Sequence, residues 1–431
     1  MGLFSFFNKE VAMDLGTANS IVIHNDQVVV DEPSIVAVDR NNNRIIAVGK
    51  RAQMMAGKTD NKNIETVRPL RGGVIADFEM AQHLIRELIG MTNINRSFMP
   101  PSLRMVICIP SGITNVEERA VRESAEQAGA KEIRMIHEPM AAAIGIGIDV
   151  LEPEGHMIVD IGGGTAEIAV ISLGGIVCNN SIRVAGDEFN ENVVEYMRKQ
   201  HNMVIGERTA EQVKIKVGAA VSELDEPPED YPTLGRDLLT GLPKEISVNY
   251  KEIAHALDKS IARIEQAILD TLSATPPELA ADIYRTGIYL AGGGSLLRGL
   301  DQRISSKTKL QVHIAEDPLR AVARGTGIAL KNFSKFSFLI RYRHLPAPYP
   351  TQHTAPRRRA VCLFLHPAPS RNSRNGTPPP SPWHRRSVVI YPLVIRSIFA
   401  RFPFWKGKNE GKQMNIKGKR NDTTATADTK N

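Results

Sequence analysis

At 431 residues, 42% apolar and 23% charged, the chain has the composition of an ordinary globular protein with room for two or more substantial cores. Its three cysteines, Cys108, Cys178 and Cys362, are too few and too scattered for a disulfide framework or a metal-ligand pattern, and they point to a reducing compartment. The net charge of +7 belongs to the end of the chain: residues 337–431 carry 18 Lys and Arg against 3 Asp and Glu, which leaves residues 1–336 at −8, without the electrostatic footprint of a nucleic-acid binder.

The start, "MGLFSFFNKE", has the apolar side chains Leu3, Phe4, Phe6 and Phe7 but no run long enough for a signal peptide. Phe6 stands where a myristoylation signal needs Ser or Thr. No stretch of the chain reaches the ~20 apolar residues of a spanning helix. Within residues 1–10, Leu3, Phe4, Phe6 and Phe7 are expected to insert into lipid as a short amphipathic wedge, the alternative being that Phe4 and Phe7 pack on the body.

"EVAMDLG" and "SIVIHND" predict two strands joined by an acidic glycine turn, and "QVVVDEP" a third. "AQMMAGKT" (52–59) fits a relaxed phosphate-loop pattern, but such a loop needs a strand before it and a helix starting at its Lys-Thr. The polar "DNKNIETVRP" follows instead, so the match is rejected. "SLRMVICIP" reads as a buried strand and "NVEERAVRESAEQAGA" as a helix. "EIRMIHEP" is a strand running into the small-residue helix "MAAAIGIGI". The pattern then restarts: "HMIVDIG", "AEIAVISL" and "GIVCNNSIRV" are three more strands with tight glycine turns. Helices follow at "EFNENVVEYMRKQ", "AEQVKIKVG" and "NYKEIAHALDKSIARIEQAILDTLS". "GIYLAGGGSLLRGL" reads as strand, glycine turn and helix, and "DPLRAVARGTGIALKNF" as a closing helix. Three strands followed by helices and strands, twice over, is an internally duplicated α/β unit. Two such units meeting at a cleft would each contribute one acidic glycine turn.

Those turns, "DLGTANS" and "DIGGGTAEIAV", carry the chemistry. Gly16, Gly162, Gly163 and Gly164 let backbone amides approach a ligand and cradle phosphate oxygens, while Thr17, Asn19 and Thr165 add side-chain donors. Asp14 and Asp160 would repel phosphate. They make sense as indirect ligands of Mg²⁺, which keeps several of its waters beside phosphates. A tight hairpin with a surface aspartate is the alternative for either turn alone, but the pair together favours a phosphate clamp. A third glycine cluster, "AGGGSLLRGL", holds Gly292, Gly293, Gly294, Ser295 and Leu296 at a strand-to-helix junction, where a helix start offers free amides and the glycines let a flat base lie on backbone. Glu138 sits at the end of a strand, before a helix entered at Pro139. Two readings stay open: a carboxylate placed favourably on the helix dipole, or one that orients or deprotonates an attacking water.

"DLGTANS", "HEPMAAAIGIG", "DIGGGTAEIAVIS", "GERTAEQVK" and "LAGGGSLLRGL" come in the order and spacing of the actin and Hsp70 ATPase superfamily. "DEPSIVA" and "RPLRGGVIADF" bring the resemblance to its bacterial rod-shape branch, the MreB family, over roughly residues 8–341. The resemblance implies an α/β actin-like fold of two RNase-H-like domains, with MgATP between them. Domain I would span 11–145 with the closing helix 315–341, and domain II 146–314 with a small subdomain at about 185–243. It implies Thr17, Ala18 and Asn19 in the first phosphate turn and Gly162 to Gly164 in the second, with Glu138 and Thr165 positioning the hydrolytic water. Glu211 and Lys214, otherwise an i, i+3 ion pair, would contact the nucleoside. Gly293, Gly294, Ser295 and Leu296 would lie on the adenine side, and Asp14 and Asp160 would hold Mg²⁺ through water. It further implies an ATPase that polymerises with copies of itself into filaments on the cytoplasmic face of the inner membrane. There it would work with transmembrane cell-elongation and wall-synthesis proteins, and not with nucleic acid. The lipid contact would involve the N-terminal wedge and Phe98 and Met99 in the loop "NINRSFMPPS". An Hsp70-type chaperone would need a β-rich peptide-binding domain, and a kinase on this fold an aspartate base and a sugar-recognition cluster, neither of which is visible. A plasmid-segregating actin relative shares the clamp but not "TANS" with "RPLRGGVIADF". Residues 342–431, basic and Pro-rich, are foreign to the family and are expected to be disordered, with the look of fused or out-of-frame sequence.

Overall fold

The computed structural model describes residues 8–59, 63–92, 102–336 and 338–341. All of these lie in one compact unit spanning residues 1–350, and residues 351–431 make up a second unit. Residues 1–7 of the expected N-terminal wedge, the loop at Phe98 and Met99, and the tail expected from residue 342 onward lie outside the described residues, while Asn8, Lys9 and Glu10 are the start of a strand and not part of a wedge.

The duplication is visible in the sheet order. In the first lobe β1 (Asn8–Leu15), β2 (Asn19–His24) and β3 (Gln27–Pro33) form an antiparallel meander. On its other side, β4 (Ser102–Ile109) and β5 (Ala130–His137) add in parallel to β1, giving the order β5-β4-β1-β2-β3. In the second lobe β6 (His156–Ile161), β7 (Ala166–Ser172) and β8 (Gly175–Ile182) form the same meander. β9 (Ile288–Ala291) and β10 (Val312–Ile314) add in parallel, in the order β8-β7-β6-β9-β10. The closing helix expected over 315–341 is shorter, a 3₁₀ turn Pro318–Arg320 running into an α-helix Ala321–Lys331, and Ile340–Arg341 is a strand, antiparallel to β5, that closes the first sheet.

Local sequence accounts for most of the helices. The capping box Thr114/Glu117 starts the helix Asn115–Gln127 between β4 and β5, and Asn249/Glu252 starts the 25-residue helix Tyr250–Ala274. Every residue of β6 and β7 is buried, as expected of strands covered on both faces. One core cluster fills each lobe, the first around Met13, Leu84 and Ile107 and the second around Ile161, Phe189 and Ile264. A third lies between the sheets and is rich in small residues, including Ala12, Ala141, Ala169, Ala291 and Ala321. Within it the helices α1 (Glu138–Ile146) and α2 (Ala321–Lys331) cross with backbones in contact: a Cβ at Gly145 would run into the Ala321 carbonyl, and one at Gly325 into that of Ala141.

Three details differ from the sequence reading. Glu138 is the first residue of α1, not the last of the strand. The glycine run after β9 forms one 3₁₀ turn, Gly293–Leu296, and the α-helix begins only at Leu300. Gly292 takes φ +77°, a left-handed conformation that breaks the path from strand to α-helix. A small sheet of Met203–Val204, Tyr231–Asp237 and Pro243–Val248 carries the second lobe's small subdomain on to Val248. The rejected phosphate-loop match is a helix, Lys50–Met55, followed by turns, so its Lys58 and Thr59 start no helix.

Candidate functional site

The two acidic glycine turns face each other across one cavity of about 730 Å³. Thr17 is buried, and its hydroxyl oxygen accepts from the Gly73 amide at 3.0 Å. The second turn is closed by the Gly162 amide donating to the Thr165 carbonyl at 2.9 Å. Its carbonyls then cap the helix α3 (Gly186–His201): the Gly186 amide donates to the Gly162 carbonyl at 3.1 Å and the Asp187 amide to that of Gly163 at 2.7 Å. The turns touch. A Cβ at Gly163 would lie 2.7 Å from the Ala18 Cβ, and one at Gly164 2.6 Å from the Thr17 hydroxyl oxygen, so side chains there would force the clamp apart.

Asp14, Gly16, Thr17, Ala18, Asn19, Glu138, Asp160, Gly162, Gly163, Gly164, Thr165, Glu211, Lys214, Gly292, Gly293, Gly294 and Leu296 all line the cavity. Ser295 does not. It is fully buried, and its hydroxyl donates to the Gly292 carbonyl at 2.7 Å, which holds the 3₁₀ turn in shape. Glu211 and Lys214, on α4 (Glu207–Val217), reach the cavity without pairing with each other. Lys214 Nζ donates to the Gly186 carbonyl at 2.9 Å, and burial pushes its ammonium pKa down. Sequence reasoning missed Gly73, Asp187, Asn190, Arg320 and other lining residues. The "GDEFN" stretch carried no signal for Asp187 and Asn190, because an ordinary amphipathic helix start reads the same way.

The cavity floor concentrates carboxyl groups. Burial pushes Asp14 up to about 6, against a lowering hydrogen bond from the Cys108 thiol, which donates to Asp14 Oδ1 at 3.0 Å. Burial first, then Asp14 and Glu167, raise Asp160 to about 7. Burial, then Asp160, Glu167 and Asp14, hold the Glu138 carboxyl well above its ordinary range. Asp160 Oδ1 and Asn190 Oδ1 are buried with no hydrogen-bond partner. An orphaned carboxylate oxygen beside further carboxyl groups is a place where a cation would be favourable. Among the described residues no group of three or more His, Cys, Asp or Glu side chains could hold an ion directly. Two carboxylates acting through retained water suit Mg²⁺ better than an all-protein cage.

With that geometry in view, the comparisons with known proteins agree on one family. The profile described as "MreB/Mbl protein" matches residues 8–337. The cell shape-determining protein Mbl of Bacillus subtilis (strain 168) is 45% identical over 330 residues, 76% of this chain and 98% of the relative. The cell shape-determining protein MreB of Escherichia coli (strain K12) is 44% identical over 330 residues, covering 75% of this chain and 94% of the relative. Among solved structures, MreB 5 of Spiroplasma citri bound to AMPPNP superposes with a TM-score of 0.71 at 38% identity, covering 76% of this chain and 97% of that one.

Proposed function

The chain belongs to the MreB/Mbl family, and from that premise we propose that its cleft binds ATP with Mg²⁺ and hydrolyses it. As a member of that family it is an actin-like cytoskeletal protein with a role in cell shape. The observation that carries the catalytic reading is the meeting of two glycine turns, one from each lobe, over the unpartnered oxygen of Asp160. The Spiroplasma relative, seen bound to AMPPNP and in a second structure to ADP, supports a nucleotide as the ligand.

Each residue then has a task. Amides of Gly163 and Gly164, in the turn that the Gly162 amide closes, and of the turn Gly16 to Asn19 hold phosphate oxygens from opposite sides. Asp14 and Asp160 are the residues that would hold Mg²⁺, through water, and that ion would supply neutralisation of charge on the phosphoryl group. Gly292, Gly293, Gly294 and Leu296 lie where a base would pack, with Ser295 fixing their turn, and Glu211 and Lys214 reach toward the sugar. Glu138 takes a proton from the attacking water at a carboxylate oxygen, and Thr165 orients that water with its hydroxyl. Burial first, and then the like-charged neighbours of Glu138, make its carboxylate a stronger proton acceptor than a free glutamate.

Glu138→Ala tests the assignment. ATP binding is retained while hydrolysis falls by about 10²-fold, the scale of a positioned base. Equal turnover by the variant and the parent protein would remove Glu138 from the mechanism.

Copies of the chain assemble into filaments in this reading. The filaments lie on the inner membrane face through the N-terminal apolar side chains and the loop at Phe98 and Met99. Transmembrane cell-elongation and wall-synthesis proteins are the proposed partners there. Support comes from the cell-shape names of the Bacillus and Escherichia relatives. Electron microscopy of the purified protein with ATP, with and without lipid vesicles, tests nucleotide-dependent assembly and lipid attachment together.

A further inference from the structure

Glu167 is a fully buried glutamate and the one charged residue of strand β7, "AEIAVIS", and it has no task in the proposed hydrolysis. Cross-strand register places Asp160, Glu167 and Ser181 side by side on β6, β7 and β8, so the three share one face. A carboxylate set between the Asp160 carboxylate and a low-dielectric interior is costly unless donors satisfy it. Three do. The Ser181 hydroxyl donates to Glu167 Oε1 at 2.5 Å, while the Ser111 amide at 3.0 Å and the Ser111 hydroxyl both donate to Oε2.

The two oxygens differ in what they connect. Ser181 belongs to the same lobe as Glu167, but Ser111 belongs to the other one, two residues past the end of β4. Ile109 at that end pairs with His137, the residue before Glu138. Glu167 in turn lies two residues after Thr165. The bond from Ser111 to Oε2 therefore ties the segment that carries Glu138 to the segment that carries Thr165. The packing around it is tight: a Cβ at Gly112 would lie 3.0 Å from the Ser181 Cβ, and one at Gly73 would meet both Thr165 Cγ2 at 2.8 Å and Pro110 Cγ at 3.2 Å.

We propose that Glu167 is a positioning residue that locks the two lobes in catalytic register through Ser111, so that Glu138 and Thr165 address the same water. Opening the lobes strips Glu167 of two of its three donors and leaves a buried, partly unsatisfied carboxylate, which opposes opening. The lock rests on the hydrolytic reading of the cleft, and the two oxygens of Glu167 allow it to be tested separately from that reading.

Three variants separate the lock from simple core packing. Ser111→Ala removes a donor between lobes, and kcat falls by about 10-fold, as expected when reacting groups lose alignment, with KM for ATP held within about 3-fold. Ser181→Ala removes the donor within one lobe and leaves kcat within about 2-fold, since the alignment it leaves intact is the one that matters. Glu167→Gln keeps an oxygen to accept from Ser111 and an amide to donate to Ser181, and restores most of the activity that Glu167→Ala loses. Unchanged kcat in Ser111→Ala, or equal losses in the two serine variants, would overturn the lock.

A second readout needs no turnover. Spin labels are placed at Met54→Cys and Leu239→Cys, both exposed and one on each lobe, in a Cys178→Ser, Cys362→Ser background. The distance distribution between the labels, measured without nucleotide, broadens in Ser111→Ala and not in Ser181→Ala. If the parent protein hydrolyses no ATP and this broadening still appears, the hydrolytic reading fails and the lock stands. If the distribution stays the same in Ser111→Ala, the lock fails whatever the ATPase result.

Discussion

The buried carboxylates of the cleft predict that the nucleotide-free protein loses stability as pH rises. Asp160 titrates at about 7 instead of 3.8, because burial and then the charges of Asp14 and Glu167 disfavour its ionised form. The folded chain thus keeps a proton that the unfolded chain has already released across this interval. Where the native state binds more protons, stability falls as pH rises, so the loss begins near pH 4 and is complete just above pH 7. Raising the carboxyl from 3.8 to about 7 corresponds to about 4 kcal/mol at pH 8. Asp14, raised by burial to about 6, acts in the same direction with a smaller weight, its shift being the smaller one. Asp160→Asn removes most of this cost while keeping the shape of the side chain. In urea denaturation with a chelator and no nucleotide, the variant should gain a few kcal/mol over the parent at pH 8 and almost nothing at pH 4. The same substitution should abolish the Mg²⁺-dependent part of ATP binding, which marks the carboxylate as kept for function at the expense of stability. Equal stability of the two proteins at pH 8 would refute the electrostatic account of the cleft floor.

Other perturbations follow from packing and composition. Gly145→Ala pushes a methyl group into the Ala321 carbonyl and should destabilise the protein by at least about 2 kcal/mol, read as a lower urea midpoint. Because α1 also carries Glu138, turnover should fall in the fraction that remains folded. Lys214→Ala should weaken ATP binding several-fold while leaving turnover of bound nucleotide nearly unchanged, since Lys214 lies on the α4 wall of the cavity rather than at its floor. Deleting residues 2–7 together with Phe98→Ser and Met99→Ser should reduce pelleting with liposomes, and undiminished pelleting would dismiss both lipid contacts. Truncation after Arg343 should leave ATP hydrolysis and melting temperature unchanged, because the first sheet closes at Arg341. Unfolding of the truncated chain would place the tail within the fold.

The sequence alone determined the main strands and helices of the two lobes and the repeat, though not the helix Phe78–Met91 or the small sheet of the second lobe. Strands such as "HMIVDIG" and helix starts such as "TNVE" are encoded by neighbours a few residues apart, so apolar period and capping chemistry identify them without any knowledge of the fold. The two acidic glycine turns were legible for the same reason, and the repeated order of elements implied two units with a cleft between them. Only the tertiary structure decided what meets across that cleft. Lys214 bonds the Gly186 carbonyl rather than Glu211, because α4 turns it toward the start of α3. The glycines after β9 stop at one 3₁₀ turn, because Gly292 and Gly294 have to clear Asp160 and Ile161. Glu167 and Ser111 stand 56 residues apart and carry no shared pattern. A local period fixes which way a side chain faces on its own element. Which partner waits there depends on the packing of both lobes at once, and no window of sequence contains that sum.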